Sequence, residues 1–515
     1  MKIVLSVFYM RYKTIPIIIL LVLMFGGTAL AQGLDDALFN APAYLEGTGR
    51  SVAMGNATGA LGGDVTATYI NPAGIGLYRS SEMTFTTGLQ HTLFSSTNYG
   101  ESHLGGKTRI SIPNFGYVLT MPCSNYKPLR FLQYGIALTR TNDFNYHSNA
   151  QGLNPSSSMI DAYLQTIDGI DALFEPGLIN PGEILSSDFP FDLNLAWQTY
   201  LINRSIDSLG YFYNSPIPQG NLVQQDDVSS KGRSEEWTMS VGANIQEKLF
   251  VGSSLGMAHI KRISTRVYKE TPGTPESNDN LFTEWSHQED LSNSAWGLNF
   301  KLGFLYYPAR WIRFGASWQS KTVFAFDEEW STSTESNLIE HHDTKYYKYL
   351  SPTLHYNYNF ASPHRFTGSM AFFCGKNGLI TLDVDYLNYG KSRISSDEYD
   401  YSAANAEISE TLRPTCNLRL GTEWRLRQFF LRGGAAYYGS YFGFGQSYGS
   451  VKKLALGVGY ATNDDTSWDF AYELTESTTA YTPYQYYVDG ENIVNPIVQR
   501  RWRNKFFVTL KVKIE

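Results

Sequence analysis

From residue 82 to its last residue the chain repeats one pattern, apolar and polar side chains alternating with period two, in runs longer than an ordinary strand of about five or six residues. The clearest run is the last, where Phe506, Val508, Leu510, Val512 and Ile514 alternate with Phe507, Thr509, Lys511, Lys513 and Glu515. Successive side chains of a strand project to opposite faces, so one face here is wholly apolar and the other mostly polar or charged. The same holds for Trp237, Met239, Val241, Ala243 and Ile245 against Thr238, Ser240, Gly242 and Asn244. It recurs in Ile380, Leu382, Val384 and Tyr386 against Thr381, Asp383 and Asp385, and in Trp468, Phe470, Tyr472 and Leu474 against Asp469, Ala471 and Glu473. Such a chain is all-β. A soluble sandwich alternates in the same way, so strand length, aromatic ends and connections must decide.

A strand that crosses a membrane needs about 9 to 11 residues, with aromatic side chains near each interface. The alternating segments meet that length at 82–96, 106–121, 131–146, 234–246, 250–269, 288–307, 311–327, 355–374, 379–395, 407–426, 429–442, 451–462, 467–480 and 499–514, which makes fourteen. Trp285, Trp296, Trp311, Trp330, Trp424 and Trp502 lie in or beside them. Short links at 122–130, 247–249, 308–310, 375–378, 427–428 and 463–466 alternate with mostly longer ones, and both chain ends fall on the short-link side. Outer-membrane barrels have even strand numbers, short periplasmic turns and longer outer loops. A sandwich has no reason to keep its long loops at one end. The expected fold is therefore a fourteen-stranded antiparallel transmembrane β-barrel. Charged residues make up 17% of the chain, against about 25% in an average soluble domain, whereas tyrosine and phenylalanine number 36 and 30. The three cysteines form no disulfide framework. A net charge of -7 without basic clusters gives no footing to nucleic-acid binding.

The chain opens with Lys2, Arg11 and Lys13, an apolar run from Ile15 to Phe25, and Ala29, Leu30, Ala31. This is the layout of a secretory signal peptide over 1–31; the alternative, an anchoring helix, lacks a stop-transfer pattern. Between signal and barrel, residues 32–81 contain the stretch Thr48 to Tyr78, with Gly49, Gly55, Gly59, Gly62, Gly63, Gly74 and Gly76. Glycine at this density marks either a flexible linker or backbone that turns tightly and packs closely. Fourteen strands enclose a bore too wide for their own side chains to fill, since about eight already leave just enough room. We read 32–81 as a hatch folded into that bore, and 82–515 as the barrel, with a large outer excursion at 147–233. Lys301, Asp383, Asp385, Arg419, Glu423, Arg425, Asp469, Glu473, Lys511 and Lys513 fall on the polar rows and are expected to face inward. Within the excursion, residues 156–174 carry Met159, Tyr163, Ile167 and Ile170 at helical spacing. Residues 189–205 could form a strand but would make the count odd, so they are placed in the excursion.

The segment SVAMGNATGALGGDVTATYINPAGIGL, residues 51–77, resembles the amino-terminal hatch of the FadL family of outer-membrane transporters of long-chain fatty acids and other hydrophobic compounds. The resemblance rests on Arg50 with Ala53, Met54 and Gly55, on Asp64 with Ala67, and on Asn71, Pro72, Ala73 and Gly74. Residues 295–320 and 453–462 resemble a central hairpin and a late strand of that family. The resemblance implies a barrel plugged by its amino terminus, capture of cargo among outer loops, a pocket above the hatch and release through the wall. It also implies structural and gating roles for Gly55, Asp64, Asn71, Pro72, Ala73 and Gly74. No pocket residue carries over.

Adjacent His341, His342 and Asp343 point in different directions and lack spaced partners, so a solvated loop is preferred to a metal site. No nucleophile elbow or phosphate-binding loop is present, and neither catalysis nor a cofactor is expected. The expected function is passive, hatch-gated uptake of hydrophobic molecules across an outer-membrane lipid bilayer. The alternative is a surface module whose outer loops hold a secreted protein partner. A general diffusion pore is disfavoured by the plug.

Overall fold

A computed structural model describes residue 34 and residues 40–123, 128–174, 190–208, 210–274, 281–341, 343–443 and 448–514. The expected signal peptide 1–31, His342 and Glu515 lie outside the described residues. The strands are β1 Ser81–Asn98, β2 Glu101–Pro122, β3 Leu129–Asp143 continuing as Tyr146–Asn154, β4 Leu222–Ile245, β5 Leu249–Pro272 and β6 Phe282–Ala309. Then come β7 Ile312–Gln319 continuing as Val323–Glu340, and β8 Asp343–Leu350 continuing as Leu354–Ala361 and Arg365–Cys374. The ring is completed by β9 Gly378–Asn388 with the short Arg393–Ser395, β10 Pro414–Leu426, β11 Phe429–Tyr438, β12 Val451–Ala461, β13 Thr466–Tyr481 and β14 Ile497–Ile514. Each pairs antiparallel with the next, and β14 returns to β1 from Ser81↔Ile514 to Thr97↔Val498, so the sheet closes.

The burial pattern is inverted relative to a soluble protein. Leu456 on the outside is 67% exposed, whereas the inward Lys301 is 1% and Asp383 0% exposed. Met239, Val384 and Phe470 are exposed; Thr238, Asp385 and Asp469 on the alternate rows are buried. A greasy exterior over a polar interior is stable only where hydrocarbon replaces water, and closure leaves no unpaired strand edge around most of the ring. The barrel therefore spans a membrane.

The fourteen expected strands appear in order, but several run further than the apolar pattern suggested. The anticipated loops 97–105 and 328–354 are extensions of the β1–β2 and β7–β8 hairpins, which pair out to Asn98↔Glu101 and Glu340↔Asp343. A ladder continues into water without an apolar face, so alternation ends where lipid ends while backbone pairing goes on. The excursion correspondingly shrinks to 155–221, because β3 and β4 pair there from Tyr146↔Ser230 to Asn154↔Leu222. The strand expected from residue 407 begins at Pro414 instead. Residues Ser402–Thr411, SAANAEISET, have no period-two pattern and form a helix that buries Ile408 against the inner wall.

Among the described residues of the excursion two further helices occur, Met159–Phe174, within the anticipated 156–174, and Phe191–Gln198, where a strand had been weighed. They share an apolar cluster with Tyr268 and Trp285 of the extended wall and with Tyr484 of the β13–β14 connection. The first helix is pinned by one buried carboxylate. Ser158 Oγ, the Met159 N–H, Gln224 Nε2, Tyr268 OH and Trp285 Nε1 all donate to Glu270 at 2.6, 2.9, 2.8, 2.8 and 2.9 Å. An anion at a helix N-terminus is favourable, and these donors are left idle if it goes. Glu270→Ala should weaken this docking by about 3 kcal/mol. Limited proteolysis of intact protein should then cut within the excursion while the barrel keeps its heat-modifiable gel mobility.

Candidate functional site

Residues 40–80 fill the bore. The hatch has two short helices, Gly49–Ala53 and Ala67–Ile70, and a 3-10 turn, Pro72–Leu77. Asn71 organises the corner: its Oδ1 accepts from the Ala73 N–H at 3.2 Å, and its Nδ2 donates to Gly59 O at 2.8 Å and to Phe304 O of β6 at 3.1 Å. Gly55 follows the first helix at φ +63°, a conformation that side chains disfavour. Gly74 packs where a Cβ would sit 2.8 Å from Ala67 Cβ. The wall is recessed to receive this backbone. An ideal Cβ on Gly303 would lie 2.2 Å from Asn71 Oδ1, on Gly252 2.4 Å from Pro72 O, and on Gly434 2.2 Å from Gly55 N. These wall glycines went unremarked in the sequence, where they read as weak points in strands; their signal is that they fall on inward rows.

Charges clamp the hatch from the other side. Arg50 donates to both carboxylate oxygens of Glu423 at 3.0 and 3.2 Å and to Gly63 O at 3.1 Å. Asp64 accepts from Lys511 Nζ at 2.7 Å, Thr48 Oγ1 at 2.8 Å and Thr66 Oγ1 at 2.7 Å. Burial pushes Asp64 up, but Lys511 and Arg50 overcome it and hold the carboxyl well below the usual range. The stability contributed by Asp64 is thus present above its ordinary pKa and lost only as pH falls through the depressed value. Bilayer conductance should stay closed at about pH 4, where unperturbed carboxylates are half protonated. Asp64→Asn should lower the SDS-heat unfolding midpoint, at a cost of about 3 kcal/mol for breaking a buried pair. Of the ten charges expected inside, Arg425 and Lys513 are corrected: both are exposed, because they sit beside the strand ends Leu426 and Ile514.

Above the hatch the lumen turns aromatic. Phe324 and Phe326 of β7, Tyr358 and Phe360 of β8, Ala258 and Ile260 of β5 and the inserted Ile408 form one buried cluster that extends to Ala41 and Phe144. Phe326 and Tyr358 stack at 5.0 Å. At its base, over Tyr69 and Ile70, lies a small cavity of about 20 Å³, bordered by Trp318, Arg365, Asp385 and Arg419. Its border is charged as well as aromatic. Arg419 is ion-paired to Asp385 at 2.7 Å, whereas Arg365 faces the Tyr69 hydroxyl at 3.4 Å and its Nε has no partner.

The wall parts on one side. The β2–β3 ladder stops at Asn114↔Thr139, so residues 101–113 of β2 pair only with β1. Pro113 offers no N–H, and a bulge opposite it falls between Thr86 and Gly88. β3 bulges between Arg140 and Asn142, breaks at Phe144, and its second run passes inside β1. There Tyr146 meets Phe94 at 5.8 Å and Ser148 Oγ accepts from Gln499 Nε2 at 2.9 Å. The carbonyls released by β2 find partners in the hatch leader: Tyr44 N–H donates to Thr141 O at 2.7 Å and Glu46 N–H to Arg140 O at 2.9 Å. Ile110, beside the gap, is 75% exposed. The signal for the gap was Pro113, a proline inside a long strand, which marks an edge.

The residues thus build a closed membrane barrel, plugged by its own leading segment and parted along one seam. Its fold is that of the FadL-type channels. It matches the toluene transporter TodX of Pseudomonas putida at a TM-score of 0.53, with 12% identity over 92% of this chain and 100% of that one. It also matches a FadL homologue of Pseudomonas aeruginosa at 0.52, with 11% identity over 92% and 100%. No family model and no curated relative matches the sequence. At such identities the likeness is one of fold. The structure places Gly55, Asp64, Asn71, Pro72, Ala73 and Gly74 together in the bore, all against the wall or one another. His341 and Asp343 lie at the end of the β7–β8 hairpin, and no group of three metal-ligating side chains occurs among the described residues.

Proposed function

We propose that this chain is an outer-membrane channel for passive uptake of hydrophobic small molecules, held shut by its hatch and releasing cargo sideways into the lipid. The observation that carries the reading is the coincidence of two features: the β2–β3 ladder ends at Asn114↔Thr139, and the aromatic cluster reaches Phe144 beside that end. Cargo drawn from the outer face partitions into the aromatic lumen, passes Phe144 and enters hydrocarbon without crossing the hatch. Residues Asn71 to Gly74 and Gly55 act as the seat of the plug, and Asp64 as its latch. Long-chain fatty acids are the favoured cargo, supported by Arg365 in the cavity, whose Nε is free for a carboxylate. Neutral monoaromatic hydrocarbons, the cargo named for TodX, are the rival class. Uptake of labelled palmitate and of toluene by cells with and without the gene tests this. Equal uptake of both, gene present or absent, removes the reading.

A second reading, a surface module that holds a secreted protein, draws on the excursion, which packs on the extended wall through a shared apolar cluster and exposes Tyr200, Ile206 and Tyr211. A stable protein partner recovered by pull-down, with no cargo uptake, favours it.

A further inference from the structure

We propose that the seam between β2 and β3 holds a binding site for an anionic headgroup, built by Arg109, Arg140, Arg501 and Arg503, which sorts cargo by charge as it leaves. The inference rests on the uptake reading above. Arg501 and Arg503 stand on the inward row of β14 opposite Phe94 and Thr92 of β1. The Arg501 guanidinium lies 4.9 Å from the Phe94 ring and 4.6 Å from Tyr146, the residue that resumes β3 after its break. From the other side of the seam, Arg109 of β2 reaches Asp143 at 2.9 Å and Arg140 reaches the same oxygen at 3.6 Å. Asp143 also lies within electrostatic reach of Arg503 and Lys505.

The charge does not balance. Among the described residues three carboxylates lie within electrostatic reach of these five cations, Asp143, Glu46 and Glu473, but Glu46 is taken up by Lys505 and Glu473 by Lys453, which leaves Asp143 to the arginines. Arg140 is 5% exposed, with Nε and Nη1 making no hydrogen bond. A desolvated guanidinium with idle N–H groups is costly, and its fork suits a carboxylate or phosphate. The aromatic lumen ends at Phe144, one residue from Asp143. An amphiphile whose tail lies in the lumen therefore brings its head to these arginines. A neutral hydrocarbon passes without using them.

Binding to purified protein in a non-ionic detergent decides it, with three probes of one chain length: palmitate, hexadecanol and hexadecyl phosphate. The parent should bind palmitate at least about tenfold more tightly than hexadecanol. Arg140→Gln with Arg503→Gln should erase that preference and leave hexadecanol affinity unchanged, and Arg140→Lys with Arg503→Lys should restore part of it. Hexadecyl phosphate binding as tightly as palmitate also supports the site; binding it about tenfold more tightly supports it with phosphate as the better headgroup. No preference for either anion over hexadecanol in the parent overturns the proposal, as does an equal loss for all probes in the double glutamine variant with heat-modifiable mobility retained. Failure of the uptake reading shows separately, as absence of palmitate and toluene uptake in cells while headgroup preference persists on the purified protein.

Discussion

A barrel carrying Gly303→Val passes ions across a planar bilayer, and its parent does not. The valine Cβ would stand 2.2 Å from Asn71 Oδ1 and 2.6 Å from the Ala73 N–H nitrogen, both parts of the corner that seats the hatch. β6 cannot retreat, because it is laddered to β5 on one side and β7 on the other. The hatch gives way instead. Ordinary overpacking costs about 1 to 3 kcal/mol, and a clash with a cap that also holds Gly59 O and Phe304 O belongs at or above the top of that range, roughly a hundredfold in seated population. Stepwise conductance recorded with heat-modifiable mobility intact is the expected result. Gly368→Val is the control: its Cβ would meet nothing within 4 Å, and it should leave the bore closed.

Blocking the seam should stop cargo without touching the hatch. Gly105 lies on the inward row of the unpaired part of β2, and a Cβ there would sit 3.5 Å from His147 O on the displaced run of β3. With Cys123, Cys374 and Cys416 first changed to serine, Gly105→Cys provides a single thiol at the gap. A bulky maleimide attached there should cut uptake of a labelled hydrophobic cargo by about tenfold or more, because no ladder remains to part around it. The same label on Leu456→Cys, exposed on the outer face of β12, should have no effect. Undiminished uptake after complete labelling of Gly105→Cys would place the route elsewhere.

Both predictions turn on features that differ in how far they could be read from the chain. The hatch corner was legible because Asn71, Pro72, Ala73 and Gly74 are consecutive and each does a local job: a cap, a fixed φ, a small packing surface. Its grip was not, since Arg50 finds Glu423 across 373 positions of sequence and Gly55 finds Gly434 only once both lie at one level of the bore. Residues 189–205 resisted assignment for a related reason: Phe191–Gln198 packs between the excursion and β7 and has no clean period of its own.

The amino-acid order by itself determined the number and succession of strands, which rows face lipid, and where the helix at Met159–Phe174 lies, because periods of two and of about 3.6 are written in neighbouring residues. Only the tertiary structure decided where the cylinder fails to seal, which aromatic side chains meet above the plug, and that Arg109, Arg140, Arg501 and Arg503 converge on one seam. The reason is physical. Alternation says that a strand has two faces, but a missing hydrogen-bonded neighbour and an excess of charge are properties of segments hundreds of residues apart, brought together by closure of the ring.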